Sequence, residues 1–263
     1  MAIKLVACDV DGTLINKDNY LSDKVKEMVK KTSAQGVKFC IATGRMFRSA
    51  QLFAQELELD TPLISYNGAL IKNAQTEKIY HSTTLNKVVA VEILNMCKDN
   101  NWHVQKYIDD LLCVKEVNAI AQHYSDRIRV PLAVEGENFY KVQQAPNKLM
   151  LIVDPKEQQQ IMAELAEKFA DSVHITNSND RFIEVIEPGV NKGVALEYVA
   201  ALFGLLPEEI MACGDSYNDL EMLQFAGTSV VMDNAPDAVK QHADFVTASC
   251  EEDGVAVALE KFI

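Results

Sequence analysis

Short apolar runs alternate with helical periods through the first third of the chain, and that alternation returns near its end. Ile3–Cys8, Val37–Ala42 and Leu63–Ser65 read as strands. Between them, Ser22 to Ala34 and Phe47 to Leu57 carry apolar residues at helical spacing, with Ser22 as a capping hydroxyl and Gly36 as a stop. Strand-helix-strand order of this kind predicts a parallel sheet with crossover helices. After "EPGVNKG" the same pattern resumes: a helix over Lys192–Phe203, a strand at Ile210–Cys213, a helix over Asp219–Phe225, a strand at Ser229–Met232, and helices over 236–242 and 251–262.

The middle of the chain reads differently. "GALIKNAQTEKIYHS" suggests two short strands around a polar turn. Beyond it, helices (Lys87–Cys97, Gln158–Phe169) mix with hairpin-like strands (Val104–Tyr107, Leu111–Val114, Leu149–Val153, Phe182–Ile186), and Asp109-Asp110 reads as a hairpin turn. The expected class is therefore α/β: a Rossmann-like parallel-sheet core built from residues 1–83 and 188–263, with an α+β domain over 84–187 inserted into it.

Composition excludes several functions. The formal net charge is −13, which disfavours nucleic acid and anionic membrane surfaces as partners. A small anionic substrate stays open, because local cations dominate at short range. No apolar run is long enough to span a membrane, and no secretory leader is expected at the N-terminus. The six cysteines form no CxxC pair, and the five histidines form no HxxxH or HExxH pattern. Reduced cysteines and a cytoplasmic setting are expected, and zinc is not.

Ligands in an open parallel sheet sit beyond the carboxyl ends of the strands. Three strand ends are informative. The first runs into Asp9-Val10-Asp11-Gly12-Thr13, the second into Thr43-Gly44-Arg45, and the late strand into Gly214-Asp215-Ser216-Tyr217-Asn218-Asp219. Asp9, Asp11, Asp215 and Asp219 would converge on one rim, where four carboxylates need a divalent cation. All the donors are oxygens, which favours Mg²⁺. Thr43 and Gly44 supply a hydroxyl and backbone N–H groups suited to an anion, or Thr43 is a plain helix cap. Lys192 opens a helix against its dipole, which a phosphate would reward, unless it is a solvated surface lysine. Asp9 is then a candidate nucleophile at phosphorus, and Asp11 a candidate acid and base.

Taken together, DVDGT (9–13), ATGR (42–45), the lysine of NKG (191–193) and GDSYND (214–219) resemble the motifs of the haloacid dehalogenase superfamily of phosphatases. "SYNGA" (65–69) is similar to its Cof-type branch, whose large α/β cap is inserted into the core. The resemblance implies an aspartyl-phosphate on Asp9. It implies that Asp11 is the acid/base and lends its backbone carbonyl to Mg²⁺, that Thr43 and Gly44 hold the phosphoryl group, and that Lys192 steadies it. It also implies Asp9 and Asp215 as metal ligands, with Asn218 and Asp219 orienting them. Arg45 and Asn67 are candidate substrate contacts, though a solvated helix residue and a turn-forming asparagine are the alternatives. Trp102 and His103 read as packing, and Lys141 and Lys148 as surface lysines.

The implied activity is Mg²⁺-dependent hydrolysis of a small phosphorylated metabolite, with sugar phosphates foremost. A phosphomutase or phosphotransferase shares the same intermediate. A non-catalytic phosphosugar-binding regulator, or a module phosphorylated on Asp9, shares the same acid cluster. The oligomeric state is not legible.

Overall fold

A computed structural model describes residues 2–263. The chain runs β1 (Leu5–Cys8), α1 (Asp23–Ala34), β2 (Lys38–Ile41), α2 (Phe47–Glu56), β3 (Pro62–Ser65), β4 (Leu70–Asn73) and β5 (Ile79–Ser82). It continues through α3 (Lys87–Asp99), β6 (Val104–Ile108), β7 (Leu111–Val114), α4 (Ala119–Ile128), β8 (Leu132–Val134), β9 (Lys148–Ile152), α5 (Gln158–Phe169), β10 (His174–Thr176) and β11 (Phe182–Ile186). The last part is α6 (Lys192–Phe203), β12 (Ile210–Gly214), α7 (Leu220–Phe225), β13 (Thr228–Val231), α8 (Asp237–Lys240), β14 (Phe245–Val246) and α9 (Gly254–Phe262).

Two compact units result: Met1–His81 with Asn191–Ile263, and Ser82–Val190. The first is built on a parallel sheet of order β14-β13-β12-β1-β2. Its strand β1, flanked by β12 and β2, is buried along its whole length, as an apolar strand covered on both faces must be. Ser22 caps α1 by accepting from the Val25 N–H, a bond of about 1 kcal/mol, as its sequence position predicts. The α6 helix packs Leu196, Val199 and Ala200 into the core beside Leu5, Ala7 and Ile210.

One expectation is corrected here. The strand at 62–65 does not extend the parallel sheet. It joins β2 through a single bridge, Ala42 to Ile64, and heads a separate sheet of order β3-β4-β5. Its pairing with β4 is antiparallel, because the Tyr66–Gly68 turn folds the chain straight back.

The second unit holds a six-stranded sheet of order β10-β11-β9-β6-β7-β8. It is antiparallel except for the β7–β8 pair. Asp109 and Asp110 form the β6–β7 turn, both at positive φ. Its own core gathers Ile93, Leu94, Leu149, Leu151, Leu165 and Ile183 between the sheet and α3 and α5.

Among the described residues no helix is long and apolar enough to cross a membrane. All six cysteines are free, and five of them are buried.

Candidate active site

Three neighbouring strands of the parallel sheet end on the same rim. Asp9 follows β1, Thr43 follows β2 and Asp215 follows β12. The backbone N–H of Asp9 still donates to Cys213 O at 3.0 Å, so the sheet ladder fixes its position. Gly12 turns the chain at a φ of 79°, and any Cβ there would collide with the Asp215 carboxylate. Thr13 Oγ1 donates to Asp215 Oδ1 at 3.1 Å.

Lys192 ties the two halves of the rim together. Asn191 caps α6 by accepting from the Val194 N–H, which sets Lys192 at the first helical position. Its Nζ lies 2.6 Å from Asp9 Oδ1 and 2.6 Å from Asp219 Oδ1, and the side chain is wholly buried. It is therefore no surface lysine. Asp219 is committed on both oxygens, because Oδ2 accepts from the backbone N–H groups of Asp215 and Ser216 at 3.0 Å each. Its close approach to the backbone of Gly214 leaves no room for a Cβ there.

The electrostatics follow from burial. Burial pushes the Asp9 carboxyl well above its ordinary range; Lys192 opposes that, while Asp219, Asp215 and Asp11 add to it. Asp215 is pushed up to about 7, first by burial and then by Asp219. Burial alone would lower Lys192, but Asp219 and Asp9 override it and hold the ammonium protonated. Ligand atoms of Asp9, Asp215 and Asp219 all lie within 4.8 Å of one another. Asp219 is held by Lys192 and the backbone, which leaves the oxygens of Asp9 and Asp215 as the donors that a cation would draw into their ionised form. That donor set fits a small divalent cation.

Asp11 does not join this group through its side chain. Its carboxylate is paired with Arg45, which is buried and so is no solvated helix residue. Thr43 is buried, but it is not the cap of α2, which begins after Met46. Its hydroxyl accepts from the Arg45 N–H at 3.1 Å, and its carbonyl accepts from the Asn67 N–H, so it shapes the loop. Gly44 lies between them, half-buried. Asn67 sits at a φ of 55° and accepts from Asn218 Nδ2 at 3.0 Å, joining the "SYNGA" turn to the GDSYND loop.

Asn234 also reaches the rim, with no motif to mark it in the sequence. It donates to Gly12 O at 2.9 Å and to Asp215 Oδ2 at 3.3 Å, while its own oxygen accepts from Cys250 N–H. It lies beyond β13, a fourth strand ending on the same rim, so the strand-end rule that found the others points to it too. Lys148, expected at the surface, is buried at 1% exposure and paired with Glu184 at 3.0 Å.

The sequence profile of the haloacid dehalogenase-like hydrolases matches residues 6–259. The chain belongs to that family. This hydrolase is 32% identical over 270 residues to the 5-amino-6-(5-phospho-D-ribitylamino)uracil phosphatase YitU of Bacillus subtilis, covering 98% of this chain and 97% of that protein. It is 30% identical over 272 residues to a putative phosphatase of Haemophilus influenzae, covering 99% and 98%. A crystal structure of a haloacid dehalogenase-like hydrolase from Bacteroides thetaiotaomicron superposes with a TM-score of 0.91 at 26% identity, covering 99% of this chain and 100% of that one. The hydrolase is of the Cof type and is a phosphatase, a phosphoric monoester hydrolase.

Proposed function

We propose that this phosphatase hydrolyses small organic monophosphates, sugar and polyol phosphates foremost, with Mg²⁺, through an aspartyl-phosphate on Asp9. One observation carries the reading. Lys192 holds Oδ1 of Asp9, while Oδ2 accepts from no protein donor among the described residues and is not sealed from solvent. A buried carboxylate with one oxygen fixed and the other open is arranged to attack.

Asp9 Oδ2 attacks phosphorus, and the bond from phosphorus to the ester oxygen breaks. Asp11, protonated on one oxygen while Arg45 keeps the other, gives that proton to the ester oxygen, and the alcohol leaves. Asp11, now a carboxylate, takes a proton from water as the water attacks the aspartyl-phosphate. Inorganic phosphate departs, Asp9 is restored, and Asp11 is protonated again. Lys192 neutralises charge on Asp9 and on the phosphoryl oxygens, with Thr43 and the Gly44 backbone as further donors. Asp9, Asp215 and the Asp11 carbonyl would hold Mg²⁺. When bound it would supply charge neutralisation at the phosphoryl group. Asp219 and Asn218 orient the site, and Arg45 and Asn67 border it. The inserted unit is assigned the role of cap.

The substrate class draws on the relative YitU, whose name specifies a phosphate on a ribityl chain. A phosphate-release panel of sugar phosphates, polyol phosphates, nucleotides and cofactor phosphates tests it. Mg²⁺-dependent release that is lost in Asp9→Asn supports the reading. No release from any member of the panel contradicts it.

A further inference from the structure

A cavity of about 270 Å³ lies wholly within the second unit, apart from every residue assigned above. It is bordered by the ends of β6 and β7, the start of α4 and the turn at residues 136–140. Trp102, the chain's one tryptophan, forms part of its wall, and His103, Asn118, Lys115 and Glu116 supply polar groups.

The polar wall is ordered before any ligand arrives. Asn118 caps α4, its oxygen accepting from the Ala121 N–H at 2.9 Å. That fixes the amide, with Asn118 Nδ2 placed 3.3 Å from His103 Nδ1. Gln105 Nε2 lies 3.2 Å from His103 Nε2, so an amide nitrogen flanks each ring nitrogen, and the neutral imidazole accepts from one of the two. Burial keeps His103 neutral by lowering its ordinary value. The charges on the wall offset one another. Lys115 lies 3.5 Å from Glu137 and is followed in sequence by Glu116, which has no ion pair among the described residues. No surplus cation selects for phosphate, unlike the site around Lys192.

We propose that this cavity is a second small-molecule site and that it takes an uncharged polyhydroxylated ligand. The apolar ring surface of Trp102 suits the C–H groups of a sugar or polyol, and the Lys115 ammonium, the Glu116 carboxylate and the second amide hydrogen of Asn118 suit its hydroxyls. The volume suits a compound of monosaccharide size. This is the class of compound left when a sugar or polyol phosphate loses its phosphate, and only that last link rests on the proposed function.

Trp102 provides the readout. Its fluorescence in the full-length protein is titrated with ribitol and with D-glucose, with Mg²⁺ and inorganic phosphate present to occupy the catalytic site. At least one of the two is expected to give a saturable change. Glu116→Ala is expected to weaken that response at least about tenfold, through loss of a charged hydrogen-bond acceptor. Its aryl-phosphate turnover without polyol should stay at the wild-type rate, and its unfolding midpoint reports that it folds. Lys115→Gln serves as a second variant. Three results overturn the proposal: no saturable change with either compound, a response undiminished in both variants, or a tighter response to zwitterionic glycine. Failure of the phosphate-release panel would remove the proposed substrates while leaving this titration interpretable.

Discussion

The guanidinium of Arg45 grips both carboxylate oxygens of Asp11, with Nε 2.7 Å from Oδ2 and Nη2 2.7 Å from Oδ1. The arginine side chain is 6% exposed and the aspartate 39%, so the fork is anchored on its Arg45 side. Ser49 Oγ, 3.4 Å from Nη1, and the Phe53 ring beside the guanidinium help to hold it. A bidentate pair fixes orientation as well as charge. The proposed acid and base is therefore held by a partner 34 positions away in sequence, and its carboxylate lies outside the metal-ligand cluster.

Arg45→Lys should not replace this fork, because an ammonium cannot bind both oxygens in one plane. The expected result is a fall in kcat of at least about tenfold with KM little changed, because orientation of the acid is lost and not substrate affinity. Steady-state kinetics on an aryl phosphate and on a sugar phosphate measure the split. Asp11→Asn should cost more, about 10²- to 10⁴-fold in kcat, as expected for loss of a general acid and base.

Lys192→Ala leaves Asp9 and Asp219 buried without their cation. Removing one partner of a buried pair costs about 3–5 kcal/mol, so denaturant unfolding should shift by that order. Activity should be lost as well. Because Mg²⁺ also supplies positive charge at the rim, adding it should recover part of the stability but not the activity.

The pH dependence has a defined sign. Asp215 in the folded, metal-free protein titrates at about 7, above its unfolded value, because burial disfavours the carboxylate. The folded state then binds a proton that the unfolded state has lost. Stability from this group therefore falls as pH rises from about 4 to about 7. The difference in unfolding free energy between wild type and Asp215→Asn, followed across that window without metal, isolates the effect. Mg²⁺ requires the carboxylate, so its affinity should rise with pH over the same window.

Chelation with EDTA should abolish phosphate release, and added Mg²⁺ should restore it. Saturating Mg²⁺ should also raise the unfolding midpoint of wild type more than that of Asp215→Asn, because only a ligand bound to the folded state shifts the equilibrium.

Local signals made much of this legible. Ser22 and Gly36 mark the bounds of α1 because capping depends on a few adjacent residues. The acids after β1 and β12 are legible because polar residues at the end of a buried strand need a reason. What was not legible depends on contacts across long separations. β3 pairs along its length with β4 and meets the parallel sheet at the Ala42–Ile64 bridge, a partition that a short apolar run does not announce. In the second unit α4 lies outside the helices read from the sequence, although Asn118 caps it in the same way that Asn191 caps α6. Lys148 read as a surface residue because its partner, Glu184, lies 36 positions away on β11. The Arg45–Asp11 fork and the Asn234 bridge are of the same kind: each joins residues whose proximity only the assembled sheet creates.

The central claim concerns one oxygen of Asp9. Rapid acid quench during turnover of a sugar phosphate with Mg²⁺, followed by peptide mapping, tests it most directly. A phosphoryl group on Asp9, labile to hydroxylamine and absent in Asp9→Asn, is the predicted result. Wild-type turnover by Asp9→Asn, or a phosphoryl group trapped on a different residue, would contradict it.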